Sequence, residues 1–469
     1  MKNGYKLFFL LLITMSIYSC KESGDGIDVA PVDTSTNLWI EGVMRNNYYW
    51  NEEMPSKDAL NLEADPSVFF RALLSNKDGK LKNGIGRYHY SSIFRKTATI
   101  RNSSLSNNQS LGFEFKIYHI ESLDTYALHV LYILPNSPAS RSKLKRSDWI
   151  LTINDQPIDV ALAQKLHTGI TAKLGISQTP QSDVSKVIML TPDYVLNNPV
   201  LVDTVYQYEG RKIAYLVYNH FTQGINKNDP NDETFNNTLR TTFSKFKKNR
   251  PDDFILDLRF NQGGIITSAQ LLATMLAPAS ALGDVFCNLT YNRKNAARNR
   301  ALRFDTDYMK KGGVGENLNL QRLFVITSME TASASEAVIN GLKPFFGENI
   351  IIVGNNTEGK NVGSVTYTDN RFGWDLHPIV CLVSNKYGLS DYQGGFTPNF
   401  QLTDTYYNLY DLGDTREYIL TRVLNYITKN EPMVVRTANS LLHAIGLTPV
   451  ESSLDYNKTN GLIVSNNPI

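Results

Sequence analysis

Two serines alternate with alanines in Thr331-Ala332-Ser333-Ala334-Ser335-Glu336, between a short apolar run and a helical pattern. This order places Ser333 where a strand over 323–328 turns into a helix starting near Ala334. A helix start supplies unpaired N–H groups and a positive field, and both stabilise an oxyanion formed beside a nucleophilic serine. Ala332 and Ala334 keep the approach narrow and open. Glu336 also allows a plainer reading, a capping box with Ser333 as the N-cap. A second apolar run, 350–354, leads into Asn355-Asn356-Thr357-Glu358-Gly359-Lys360. Adjacent parallel strands would bring this loop and the Ser333 turn to one rim, the rim at which open α/β sheets hold ligands. A neutral lysine there can take the serine proton. For that its pKa must fall about 3 units from 10.4, roughly 4 kcal/mol of differential stabilisation, which burial can supply. Gly359-Lys360 lacks the preceding glycine array of a phosphate loop.

A third segment, Asp257-Leu258-Arg259-Phe260-Asn261-Gln262-Gly263-Gly264, puts two glycines just past a buried strand, where backbone can approach a ligand closely and present an N–H. It resembles the DLR-x-N-x-GG motif of the C-terminal processing peptidases, the S41 serine proteases. Thr331–Glu336 is similar to that family's nucleophile motif, and Glu358–Ser364 to the segment carrying its general-base lysine. The resemblance implies Ser333 as nucleophile, Lys360 as base, and an oxyanion hole from the Ala334 N–H and one of Gly263 or Gly264. It implies a crotonase-like ββα-superhelix core rather than a Rossmann domain. One position departs from the pattern: many members carry a glutamine four residues after the lysine, which orients it, and here Ser364 stands there. A serine hydroxyl can accept from lysine but reaches less far.

Other titratable residues rank lower. His89, in Arg87-Tyr88-His89-Tyr90, loosely resembles the histidine region of tricorn-type relatives, whose base is a histidine. His220 is expected to pack at a strand end, and His377, before a proline, to be structural. Asp257 and Arg259 are expected to brace the glycine loop. Asp391, Asp404 and Asp414 show no paired-carboxylate spacing.

These residues must be positioned by strands alternating with helices over 201–433, an α/β core with largely parallel pairing. Before it, 107–200 reads as a β-rich unit whose order resembles a PDZ domain. Leu111-Gly112-Phe113 is similar to the carboxylate-binding loop, and Asn136–Ile158 to the central signature, although Ser147-Asp148 replaces the usual Gly-Asp. Such a loop can hold a peptide's terminal carboxylate while the adjacent strand edge accepts an extended chain. Residues 36–106 read as a small, mainly helical unit, with Leu38, Val43, Tyr48 and Tyr49 near one side of the first helix, and 434–469 as a C-terminal extension.

The first 19 residues, a basic start and the run Leu7–Tyr18, read as a lipoprotein signal, too short for a confident membrane span. Ile17-Tyr18-Ser19-Cys20 resembles a lipobox, implying a lipid anchor at Cys20, a flexible tether over 20–35, and a place in the cell envelope, at the outer membrane, on its periplasmic or surface face. Cys287 and Cys381 allow either a disulfide or buried thiols, and the cysteines form no metal-ligand cluster. No cofactor is expected. A formal charge of +2 in 469 residues, without a basic aromatic patch, argues against nucleic acid. The expected partner is a polypeptide with an extended or free C-terminal segment. The alternatives are a catalytically inactive S41-like peptide-binding lipoprotein and a glycan-binding or structural envelope lipoprotein. Neither oligomeric state nor cleavage preference is legible.

Overall fold

A computed structural model describes residues 34–82, 86–95, 109–167, 169–226, 229–404, 410–433, 446–455 and 462–464. The signal segment, Cys20 and the tether lie outside the described residues. No described helix is long and apolar enough to cross a membrane.

The N-terminal unit is built on α1 (Ser35–Asn47) and α2 (Pro66–Ala72). Asp65 starts α2 by accepting from the Ser67 and Val68 N–H groups, with Pro66 at the first helical position, where its missing N–H costs nothing. Ile40 and Met44 of α1 and Tyr48 just past its end meet Phe69, Phe70 and Leu73, and this cluster continues into Val362 and Ile379. Leu38 faces solvent instead, because the buried stripe follows the 3.6-residue spacing through Asn37, Ile40, Glu41 and Met44. The unit is less helical than its sequence suggests. Lys80–Lys82, Gly86–Tyr88 and Ser92–Arg95 are short strands, and Ser92–Arg95 pairs with Trp374–His377. That pairing is set by a partner some 280 residues away and leaves no local signature.

The β-rich unit is an antiparallel sheet of β1 (Phe113–Ile120), β2 (Thr125–Ile133), β3 (Trp149–Ile153), β4 (Ala172–Ser177) and β5 (Lys186–Leu190), with α3 (Val160–His167) beside it. Its core is Leu111, Phe115, Ile117, Leu128, Val130, Ile150 and Leu174 among others. Ser147, where the resembled signature has glycine, takes φ 75°, the left-handed conformation that glycine adopts without strain.

The α/β core runs β6 (Val200–Tyr208), β7 (Arg211–Tyr218), α4 (Thr234–Asn249), β8 (Asp253–Asp257), α5 (Ile266–Leu276), β9 (Leu323–Thr327), α6 (Ala334–Phe346), β10 (Ile350–Gly354), β11 (Val362–Ser364), β12 (Ile379–Ser384), β13 (Phe400–Gln401) and α7 (Tyr418–Lys429). The main sheet is ordered β6-β7-β8-β9-β10-β13, parallel except for the β6–β7 pair. Period-two alternation divides its two faces. Ala214, Leu216, Phe254, Leu256 and Val325 join α4, α5 and α6, whereas Ile213, Tyr215, Ile255, Phe324 and Ile326 join α7. The architecture is thus mixed α/β with a small N-terminal helical segment and a β-rich unit. Cys287 and Cys381 are buried free thiols, not a disulfide.

The described residues within 434–469 pair with both the β-rich unit and the core. β14 (Leu447–Ser452) pairs antiparallel with β1 at the edge of the β-rich sheet, and β15 (Leu462–Ile463) pairs parallel with β11 in the core. Both pairings join segments separated by about a hundred residues or more, and strands this short carry no periodicity that could announce them.

Candidate active site

The C-terminal ends of β8, β9 and β10 open on one rim, because the strands are parallel and register-matched through Leu256↔Val325 and Val325↔Ile352. The loop after β8 holds Gly263 and Gly264, the loop after β9 ends in Ser333, and the loop after β10 ends in Lys360. The first two loops are stitched together. Ala332 N–H donates to Asn261 O at 3.0 Å, the Thr331 hydroxyl to Leu258 O at 2.8 Å, and the Ser335 hydroxyl to Asn261 O at 2.9 Å. Asn261 in turn donates to Tyr218 O at 2.8 Å.

Ser333 stands at the start of α6 with φ 60° and ψ −109°, a conformation costing a non-glycine residue on the order of 1–3 kcal/mol. Its Oγ is buried and has no hydrogen-bond partner. The Gly263 backbone lies against it: a methyl group at 263 would sit 2.8 Å from Ser333 Cβ and 3.0 Å from Ala334 N. Only glycine permits that approach. Gly264, at φ 137°, is equally constrained, since its added Cβ would meet Phe221 O at 2.1 Å.

Glu336 organises the loops around Ser333. Its Oε2 accepts from the backbone N–H groups of Ser333 and Lys360, each at 2.8 Å. Its Oε1 accepts from Gly359 N–H and the Thr357 hydroxyl, each at 2.6 Å. One carboxylate therefore ties the backbones of Ser333 and Lys360 to a single oxygen. The capping-box expectation holds, with Glu336 receiving the Ser333 N–H and the Ser333 side chain set toward the Glu336 N–H, although the Ser333 hydroxyl makes no bond of full hydrogen-bond geometry. Burial pushes the Glu336 carboxyl up to about 7, against the pull of its four donors.

Lys360 is buried, with its ammonium nitrogen 5.1 Å from the centre of the Tyr90 ring. Tyr90 reaches this position because Asp78 fixes the N-terminal unit. Its carboxylate accepts from the Tyr90 and Ser91 N–H groups and from the Tyr48 hydroxyl. Burial, then the Glu358 and Glu336 carboxylates, raise the Tyr90 hydroxyl above its ordinary value. Ser364 is buried on β11.

Gly263 cannot offer its N–H outward in this arrangement, because that group donates to Asn261 Oδ1 at 2.9 Å. Of the two expected glycine donors, Gly264 is the one whose N–H Asn261 does not take. Leu111 and Phe113 are buried, and the adjoining β1 edge, expected to be open, is covered by β14. His89 keeps a buried Nδ1 without a hydrogen-bond partner. His220 Nδ1 lies 2.8 Å from Asn219 Oδ1 and its ring packs near Phe235. His377, driven down to about 4 by burial, lies on the strand that pairs with Ser92–Arg95. Asp391 and Asp414 take no part in the rim, whereas Asp257 and Arg259 brace the glycine loop, together with Asp404. The sequence reading gave no role to Asn261, Thr357 or Tyr90 and saw only a cap in Glu336. Asn261 lay inside the quoted motif, between strand end and glycines, which was signal enough to ask what its amide holds.

Residues 212–377 match the description Peptidase family S41, and residues 35–92 match Peptidase S41 N-terminal domain. A carboxyl-terminal-processing protease from Picosynechococcus sp. is 24% identical over 241 residues, 50% of this chain. The match spans about half of that relative's length, 51%. A crystal structure from Bacteroides fragilis NCTC 9343, whose name assigns it to the S41 proteases, is 29% identical, with a TM-score of 0.69 over 84% of this chain and 98% of that one. The matched core carries Ser333, Lys360 and the glycine pair, the matched N-terminal part carries Tyr90, and both stretches are similar to peptidase family S41.

Proposed function

We propose that the protein is a serine endopeptidase with a Ser333–Lys360 dyad, cleaving extended or C-terminal segments of polypeptides outside the cytoplasm. The carrying observation is the Glu336 carboxylate, which holds the backbone N–H groups of Ser333 and Lys360 on one oxygen beside an unpartnered serine hydroxyl. In this reading neutral Lys360 takes the Ser333 proton as Oγ attacks the scissile carbonyl. The Ala334 N–H at the α6 start and the Gly264 N–H receive the developing oxyanion, while Gly263 keeps the approach open by lacking a side chain. Lys360 returns the proton to the leaving amine, and water, deprotonated by the same lysine, hydrolyses the ester to regenerate Ser333. Ser364 and the Tyr90 face position the lysine from β11 and the N-terminal unit. The β-rich unit is read as PDZ-like, the core as a crotonase-like ββα superhelix, and the chain as an envelope lipoprotein anchored through Cys20.

The test is turnover of an unfolded polypeptide. Ser333→Ala, Lys360→Ala and Lys360→Arg should each lose activity by at least 100-fold with the fold kept, since guanidinium stays protonated and cannot act as base. Turnover retained in Lys360→Ala would overturn the lysine assignment and turn attention to His89. A folded wild-type chain that binds the polypeptide without cleaving it would favour the inactive peptide-binding reading, which the serine at 364 invites.

A further inference from the structure

We infer that two strand slots, filled in this structure by residues 447–453 and 462–464, are the path of an extended polypeptide substrate, and that these residues are a built-in occupant the substrate must displace. The inference rests on the peptidase reading for what the path serves, but not for whether it binds peptide.

The first slot lies between β1 and α3. β14 runs antiparallel to β1, from Leu447 opposite Ile120 to Ser452 opposite Lys116, so it heads toward the Leu111-Gly112-Phe113 loop. Gln164 on α3 donates to Glu451 at 3.2 Å from the other side. Ser453 ends the run by accepting the Phe115 N–H at 2.8 Å. Just beyond, a cavity of about 70 Å³ is lined by Leu111, Phe113 and Leu166, and none of residues 447–455 lines it. The chain's own strand thus follows the groove and stops short of a cavity, lined by polar as well as apolar residues, that a longer ligand could fill.

The second slot lies at the rim. β15 pairs with β11 through Gly363↔Leu462 and Ser364↔Ile463. Ile463 N–H donates to Gly264 O at 3.0 Å and Val464 N–H to Ser364 O at 3.1 Å. Gln262 reaches Asp455 at 3.1 Å. The same stretch of sequence therefore touches the β-rich groove, the glycine loop and the strand that follows Lys360. Two backbone edges that read an extended chain through main-chain hydrogen bonds suit a substrate defined by being unfolded.

The occupant is anchored by buried Leu447, Leu454 and Val464 and is interrupted between them. Pro449 has no N–H to give, the ladder shifts register between Pro449 and Glu451, Val450 is exposed, and β15 has two residues. An interrupted edge strand exchanges with a competing strand far more readily than a buried one.

The test uses the full chain as Ser333→Ala, so that binding is read without cleavage, with Lys116→Cys and Ser452→Cys placed opposite each other on β1 and β14. Fluorescence anisotropy follows a labelled, unfolded polypeptide. Oxidation should weaken binding at least tenfold and reduction should restore it, while Glu451→Pro, which loosens β14, should bind more tightly than the parent. Equal affinity in oxidised and reduced forms would overturn the inference. If the disulfide does not form, unchanged affinity in Glu451→Pro would do the same. Failure of the peptidase reading shows separately, as absent turnover in the Ser333 protein while anisotropy still responds to the lock.

Discussion

Two buried carboxylate centres hold this molecule together in opposite ways. At Glu336, one carboxyl is surrounded by three backbone N–H groups and a hydroxyl, with no cation among its hydrogen-bond partners. At Arg259, one guanidinium gathers three carboxylates. It reaches Asp257 at 2.8 Å, Glu417 at 2.9 Å and Asp404 at 3.1 Å. Arg146, from the β-rich unit, joins through Asp404 at 2.8 Å. Burial pushes Asp404 up, but Arg259 and Arg146 outweigh it and hold its carboxyl below the usual range. The Arg259 centre is an ionised network that fixes the loop after β8 to α7 and to the neighbouring unit. The Glu336 centre uses neutral donors and is left near its titration point. The fold spends fixed charge away from the reacting atoms and shapes the Ser333–Lys360 rim with hydrogen bonds, leaving local charge free to change.

The largest effect expected from breaking this contrast is at Arg259. Arg259→Met strands Asp257 without its cation and leaves Glu417 only Arg146, at 3.6 Å, and unpaired buried charge costs about 3–5 kcal/mol. Urea denaturation should show that loss, and a change under 1 kcal/mol would deny the network its structural role. Glu336→Gln comes next. The amide replaces one acceptor oxygen with a donor facing two other donors, so stability should fall by roughly 2–3 kcal/mol, with loss of serine reactivity. Reactivity unchanged in a folded Gln variant would separate Glu336 from the dyad.

The most gradual effect is in pH. The folded Glu336 carboxyl, at about 7, keeps its proton through a range in which the ordinary value of 4.5 would release it. The folded state thus binds more protons than the unfolded one between those values. The corresponding stability is complete below about 4.5 and lost as pH rises through 7. His377 acts in the opposite sense. Depressed from 6.5 to about 4, it contributes stability that is present above 6.5 and lost as pH falls through 4. Relative to Glu336→Gln, the wild type should therefore lose up to ~1.4 kcal/mol per pH unit between 4.5 and 7. Parallel stability curves for the two proteins would contradict that sign.

What could be read from sequence follows the range of the interactions. The alternation of β7, β8 and β9 with α4 to α6 was legible because each element carries its own period. Ser333 and Lys360 were proposed from strand ends that are neighbours both in sequence and in the sheet, whereas the glycine pair ends a strand separated from β9 by two strands of another sheet, Val285–Tyr291 and Arg300–Arg303. Glu336 was visible only through its local contact, the Ser333 N–H, and its bonds to 357–360 depend on the β9–β10 register. The Arg259 centre needed Asp404, Glu417 and Arg146, dispersed over 270 residues, and nothing in their flanking residues distinguishes them from solvated loop charges. The covering of the β1 edge by β14 was beyond local reading, since Thr448, Pro449 and Val450 are exposed and show no alternation.

The most direct measurement of the central claim is covalent labelling by a serine-directed fluorophosphonate, followed by peptide mapping. The account predicts one adduct, on Ser333, absent in Ser333→Ala and slowed at least 100-fold in folded Lys360→Ala. An adduct on another serine, or full-rate labelling of Ser333 without Lys360, would contradict it.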